Sequence, residues 1–310
     1  MANLISLFRN AITSAALVLL AATGVATAQA PVKVVTSFSI LADVAREIGK
    51  ERVSIVSLVG PNGDAHAYQA KPADAKAVKE AGVVIVNGLG FDSFMIRLVK
   101  SSGTKATLVT ASSGLKALEN AEGGHHGHDH GHSHGKFDPH AWQSIEAMKL
   151  YTTNIRDGLA KADPAGAQDY ARNAARYLAE LEALKTELDK GFAAIPRDKR
   201  VIITNHDAFR YFGNEFGFTL APVQGISTEG EPSAKDVARI IRAAKEKKAR
   251  AIFIENMANP KIAEQIARET GARIGGTLFS DALSDEKGPA PTYIALMRHN
   301  AKVLVEALRE

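Results

Sequence analysis

DPAGAQDYARNAARYLAELEALKTELDKG, residues 163–191, decides how the rest of the chain is organised. Asp163 and Pro164 open the segment with an N-cap acid and a proline for the first turn, and Gly191 and Pro196 mark its end. Tyr170, Ala174, Tyr177, Leu181, Leu184 and Leu188 recur in alternating steps of four and three, which lays one apolar stripe along a helix. At roughly 1.5 Å per residue that helix is about 40 Å long, more than the width of a small domain. A coiled coil is the competing reading, but three heptads with no partner in the sequence are marginal. A stiff connector lying along two lobes fits the flanks better. Such a connector limits hinge motion.

On either side of it, short β-branched runs alternate with Ala/Lys/Glu-rich segments of helical length. Before it, strands are expected at 32–37, 52–59, 83–88 and 107–110, with helices at 40–49, 74–82 and 91–102. After it, strands are expected at 200–205, 219–223, 250–256 and 273–279, with helices at 233–249, 261–270 and 291–310. This rhythm predicts an α/β protein of two lobes, each a mostly parallel sheet flanked by helices. The divisions are 31–162 for the first lobe, 163–192 for the linker helix and 193–310 for the second lobe.

The first 30 residues read as a leader and not as fold. Arg9 precedes the apolar run AITSAALVLLAATGVA, too short for a confident membrane span, and Ala28-Gln29-Ala30 is a small-x-small cleavage signature. The mature chain is therefore expected in the periplasm, cut after Ala30. The sequence holds no cysteine, so a transition-metal site must be built from imidazole and carboxylate, and thiolate zinc ribbons and iron–sulfur clusters are excluded. A net charge of +4, spread along helices with few aromatics, gives nucleic-acid binding no support.

Six of the ten histidines crowd into HHGHDHGHSHG, residues 125–135: His125, His126, His128, His130, His132 and His134. With Gly127, Gly131 and Gly135 and no apolar residue, this stretch within the 121–136 segment reads as a loop, and ordering it round one ion costs about 1–2 kcal/mol per residue fixed. The other four histidines are more telling. His66 follows the second strand, His140 sits in FDPHAW after the fourth, and His206 follows the first strand of the second lobe in ITNHDAF. Asp281 occupies the matching place after the last strand, in TLFSDALS, whereas His299 lies within the terminal helix. Open α/β sheets put ligand sites beyond the carboxyl ends of their strands. Three neutral imidazoles and a carboxylate make a closed tetrahedral set for Zn²⁺, placed in the cleft between the lobes. Glu255 and Asp207 are candidates to hold the imidazoles from behind, while Asp64 and Asp138 read as turn residues.

In order, GPNGDAHAYQAKPAD, the His-rich loop, DPHAW, TNHDAF, GISTEGEPS, FIEN and FSDAL resemble the zinc-binding receptors of the cluster A-I metal ABC importers, across essentially the whole mature chain. That resemblance implies two α/β lobes joined by a long backbone helix, with His66, His140, His206 and Asp281 as ligands. It also implies a monomeric periplasmic receptor that passes Zn²⁺ to an inner-membrane permease, with a periplasmic zinc chaperone as a further partner. Manganese and iron relatives carry Glu at the position matching His206, so His there points to zinc. Some zinc members carry a disulfide in the second lobe, which this chain does not. Within the same fold, a manganese or iron receptor and a metal-linked adhesin stay open. So does a zinc buffer acting through the His-rich loop alone. A zinc hydrolase has less support, since there is no HExxH and Asp281 fills the fourth position. The loop is expected to be an accessory collector of metal.

Overall fold

In the computed structural model, which describes residues 30–120, 135–230, 232–247 and 249–309, the first half alternates strand and helix as its sequence rhythm requires. The leader read over residues 1–30 falls outside the described residues but for Ala30, and so do all six histidines of the 121–136 loop. β1 (Val32–Phe38), α1 (Ser39–Gly49), β2 (Val53–Val59), α2 (Pro72–Glu80), β3 (Val83–Val86), α3 (Ser93–Ser102) and β4 (Thr107–Thr110) follow in turn. The strands make one parallel sheet in the order β2-β1-β3-β4. β3, with the run VVIV, is buried on both faces, as an inner strand of a covered parallel sheet must be.

α4 (Ile145–Ala162) is an element that the sequence reading passed over. Its Thr, Asn, Asp and Gly content lowers intrinsic helicity, and packing overrides that: Ile145, Met148, Tyr151, Ile155 and Leu159 are buried on one face. Ser144 caps its start by accepting the Ala147 N–H at 3.1 Å. Gly158 lets the helix close down on β4, because a Cβ there would collide with Val109 Cγ2. α5 (Ala167–Ala193) is the long helix, 27 residues, and it buries Tyr170, Ala174, Tyr177, Leu181, Leu184 and Leu188 together with Phe192. Arg52 ties its first turn down through Asp169 at 2.5 Å. Arg200 spreads one guanidinium over the carbonyls of Phe192, Ile195 and Phe216 at 2.6–3.1 Å, satisfying groups that the ends of two helices leave free.

The second half repeats the pattern with shorter strands: β5 (Val201–Ile202), α6 (Arg210–Phe216), β6 (Thr219–Leu220), α7 (Ala234–Glu246), β7 (Ala251–Glu255), α8 (Lys261–Thr270), β8 (Arg273–Leu278) and α9 (Tyr293–Leu308). α6, like α4, was not among the expected helices. β5 pairs with β6 and β7 with β8, both parallel, and Phe253 N–H donates to Ile203 O at 2.9 Å across the junction. The resulting order β6-β5-β7-β8 repeats that of the first half. One apolar core runs from the first sheet through α5 to Phe192, Phe212, Phe218 and α9. A second, smaller cluster of Ile203, Val237, Ile240, Ile252 and Ile266 lies beneath α7 and α8. No helix of the described residues is long and apolar enough to cross a membrane.

The Gly158–Val109 contact supplies a test of this packing. Gly158→Ala is expected to destabilise the protein by about 1–3 kcal/mol in chemical denaturation, the usual range for overpacking. Adding Val109→Ala should recover part of that loss. A second substitution that only adds its own cost would show that the two residues do not press on one another.

Candidate metal centre

His66, His206 and Asp281 lie in the turns that follow β2, β5 and β8, whereas His140 directly precedes the short turn Ala141–Gln143 ahead of α4. In the turn after β2, Asp64 Oδ1 accepts the backbone N–H of His66 at 2.9 Å. Asp138 Oδ1 does the same for His140 at 3.0 Å and also stands 2.9 Å from its ring Nδ1. His206 follows β5, its backbone N–H donating to Glu255 Oε1 at 2.8 Å from the end of β7. Asp281 follows β8, and its neighbour Ser280 accepts from Trp142 Nε1 at 2.9 Å and Gln143 Nε2 at 2.6 Å. Those two bonds draw the carboxyl ends of the two sheets together.

The side chains converge. His66 Nε2 lies 3.2 Å from His140 Nε2 and 3.3 Å from Asp281 Oδ2, and His206 Nε2 lies 3.1 Å from the same oxygen. His140 Nε2 is 3.8 Å from Asp281 Oδ1, and one ligand atom from each of the four falls within 4.8 Å of all the others. Ligands at about 2.0–2.1 Å from a tetrahedral ion are about 3.3 Å apart, so the set matches the edges of such a polyhedron. His140, His206 and Asp281 are wholly buried and the His66 side chain is 7% exposed. The Phe91 ring packs at 4.8 Å from His66 and that of Trp142 at 5.2 Å from His140, which makes the surroundings apolar.

Asp281 Oδ1 has no hydrogen-bond donor among the described residues, and Oδ2 meets only the ring nitrogens of His66 and His206. A buried charge left in that state needs a cation. Behind the ring of His206, Glu255 Oε2 stands 2.6 Å from Nδ1. With the Nδ1 protons of His140 and His206 turned to Asp138 and Glu255, the Nε2 atoms of those rings face Asp281. The set fits a divalent cation.

The charges are arranged to match. Burial disfavours a charged His206, yet the carboxylates of Glu255 and Asp281 outweigh it and raise His206 well above its usual value. Burial would raise Asp281 as well, but His206 and His140 pull it well below the ordinary carboxylate range. Burial lowers His66, and Asp281 offsets this only in part. A proton on His206 and a cation at the four atoms therefore compete for one place.

Other expected residues fall elsewhere. Asp207 lies 4.0 Å from Arg210 Nε, its carboxyl pushed up to about 6 chiefly by burial, and among the described residues it makes no hydrogen bond to an imidazole. His299 meets Thr277 O at 3.0 Å and packs on Phe279, away from the cluster. Asp138, read as a turn residue only, holds both the backbone and the ring of His140; the repeated Asp-x-His at 64–66 and 138–140 was the available signal. Arg210, 3.6 Å from Asp138 Oδ2, was missed as well. In the metal-free protein the His206 imidazole should titrate well above the usual histidine value of about 6.5, and Glu255→Gln should bring it down, since the charged ring loses a carboxylate. Long-range ¹H–¹⁵N spectra across a pH series measure this; an unshifted His206 in that variant would remove Glu255 from the account.

A sequence profile described as the zinc-uptake complex component A, periplasmic (ZnuA), matches residues 34–307. Among curated proteins, the chain is 33% identical over 280 residues to the manganese-binding lipoprotein MntA of Halalkalibacterium halodurans, covering 90% of this chain and 89% of the relative. It is 34% identical over 266 residues to the iron-binding protein YfeA of Yersinia pestis, covering 86% and 82%. Among solved structures, the periplasmic zinc-binding protein TroA of Treponema pallidum superimposes with a TM-score of 0.82 at 28% identity, covering 90% of this chain and 99% of that one. The manganese-bound periplasmic metal-binding protein of Candidatus Liberibacter asiaticus gives 0.78 at 28% identity, covering 89% and 99%. The chain thus belongs to the ZnuA family of periplasmic metal-binding solute-binding proteins, the cluster A-I receptors of ABC importers.

Proposed function

We propose that this protein captures Zn²⁺ in the periplasm, through His66, His140, His206 and Asp281, and delivers it to an inner-membrane permease. Its family supplies the coarser part: a metal-binding, substrate-binding component of an ABC importer acting outside the cytoplasm. The preference for zinc rests on one observation above all. Three buried imidazoles and one carboxylate converge with spacings of 3.1–3.8 Å between neighbouring ligand atoms. Imidazole favours Zn²⁺ over the hard ion Mn²⁺, for which a further carboxylate in place of His206 is the better donor. The relatives named for manganese and iron support a second reading, a manganese or iron receptor on the same scaffold.

Competition titration distinguishes these. His206→Ala is expected to lower zinc affinity by more than about 100-fold, beyond the 10–100-fold that an outer-shell partner is worth. His206→Glu should narrow the margin of zinc over manganese. A wild-type protein that binds manganese as tightly as zinc, or a His206→Ala variant of undiminished zinc affinity, would sink the zinc reading.

The histidine-rich segment 121–136 enters this reading as an accessory collector close in sequence to His140. Deleting it should leave one tight zinc site per chain in isothermal titration. A protein that loses all tight binding on that deletion would instead be a buffer working through the segment alone.

A further inference from the structure

His66 and His140 both come from the first half, and each follows an aspartate by two positions, in Asp64-Ala65-His66 and Asp138-Pro139-His140. In both turns the aspartate uses Oδ1 on the backbone N–H of its own histidine, at 2.9 Å and 3.0 Å. The second oxygen of each is directed to the other half of the molecule. Asp64 Oδ2 accepts from Thr228 Oγ1 at 2.7 Å. Asp138 Oδ2 faces Arg210 Nη1 at 3.6 Å. Thr228 lies in the segment between β6 and α7, and Arg210 is the first residue of α6. One carboxylate thus grips a site histidine with one oxygen and the opposite half with the other, twice over.

We infer that Thr228 and Arg210 are positioning residues that set how long a bound cation is retained, by latching the second half onto the aspartates that hold His66 and His140. This rests on the metal-receptor reading above. Neither residue reaches the cluster itself, so removing either leaves all four donor atoms in place. What it removes is the coupling. Separating the halves breaks the Thr228 and Arg210 contacts, and the two aspartates are then free to turn without their histidines being held against the second half. Contacts that complete a closed state act chiefly on release, and much less on encounter.

The two latches differ in kind. Around Asp138 the connection is multiple: Arg210 Nη1 also donates to Glu119 O at 2.8 Å, and the Tyr211 hydroxyl donates to Asp138 O at 2.9 Å. Asp138 also touches the His140 ring. Asp138 Oδ2 is buried with no hydrogen-bond donor among the described residues, so the Arg210 charge is what compensates it. At Asp64 the link is one neutral hydroxyl, and Asp64 reaches only the backbone of His66 and Ala67. Arg210 should therefore matter more than Thr228.

The test uses the mature full-length protein loaded with Zn²⁺ and chased with a chelator in stopped flow. Thr228→Val is expected to raise the zinc dissociation rate by about tenfold, the lower end of what outer-shell partners contribute, and Arg210→Met to raise it further. The association rate should stay close to wild type. Thr228→Ser restores the hydroxyl and should restore slow release, which a mere packing role for the threonine side chain would not predict. The double variant should multiply the two effects, because the latches act on different histidines. Dissociation at the wild-type rate in both single variants would overturn the inference, as would a Thr228→Ser protein that releases zinc as fast as Thr228→Val. A wild-type protein that binds no divalent cation would instead overturn the proposed function, so the two failures are distinguishable.

Discussion

The Asp281 carboxylate, buried among three imidazoles and meeting no polar partner beyond those rings among the described residues, is the constraint the rest of the structure answers to. A carboxylate taken out of water needs positive charge beside it. Here two more acids, Glu255 and Asp138, are buried directly behind two of the rings. One proton on His206 offsets only part of that local negative charge. A divalent cation offsets more of it and bonds to the nitrogens at the same time. The preference for a metal is therefore written into the electrostatics of the surroundings as well as into the four donors.

The fold makes that concentration of charge possible by repeating one topology. In each half the strand order places the second strand outside the first and the third and fourth on its other side, and the loops leaving the carboxyl ends face those of the other half. Trp142 and Gln143 fasten the two edges through Ser280, while α5 and its arginine clamps hold the separation along the back. No single loop could bury four polar side chains so thoroughly. Two sheets facing each other can, since each supplies apolar walls such as Phe91 and Trp142.

Much of this is legible in the sequence because it depends on local pattern. The stripe from Tyr170 to Leu188 specifies α5, and His66, His140, His206 and Asp281, singled out as loop residues after strands, converge into one cluster. What is not legible depends on tertiary context. α4 hides behind its Thr, Asn and Gly, and Gly158 makes sense only once Val109 lies against it. RVIITN reads as a full strand, yet β5 keeps only Val201–Ile202; beyond it the Thr204 and Asn205 carbonyls still accept from the Val223 and Gln224 N–H groups, while their side chains turn to His206 O and the Glu255 N–H. Asp138 and Asp207 each neighbour a histidine, and nothing in their spacing says that the first meets an imidazole and the second an arginine. Three-dimensional direction decides that.

The second, smaller apolar cluster beneath α7 and α8 has its own consequence. Ile203, just past β5 on the way to His206, and Ile252 of β7, which ends in Glu255, both belong to that cluster, and Phe253 N–H donates to Ile203 O beside them. With less buried surface holding it, this layer is the natural candidate for sub-global opening, while the larger core stays folded. On the proposed function, a cation bound at the four residues would be a cross-link between a firm half and a soft one. Its residence would then be tied to the breathing of a small hydrophobic layer, so substitutions beneath α7 and α8 would alter metal exchange without changing any of the four proposed donors.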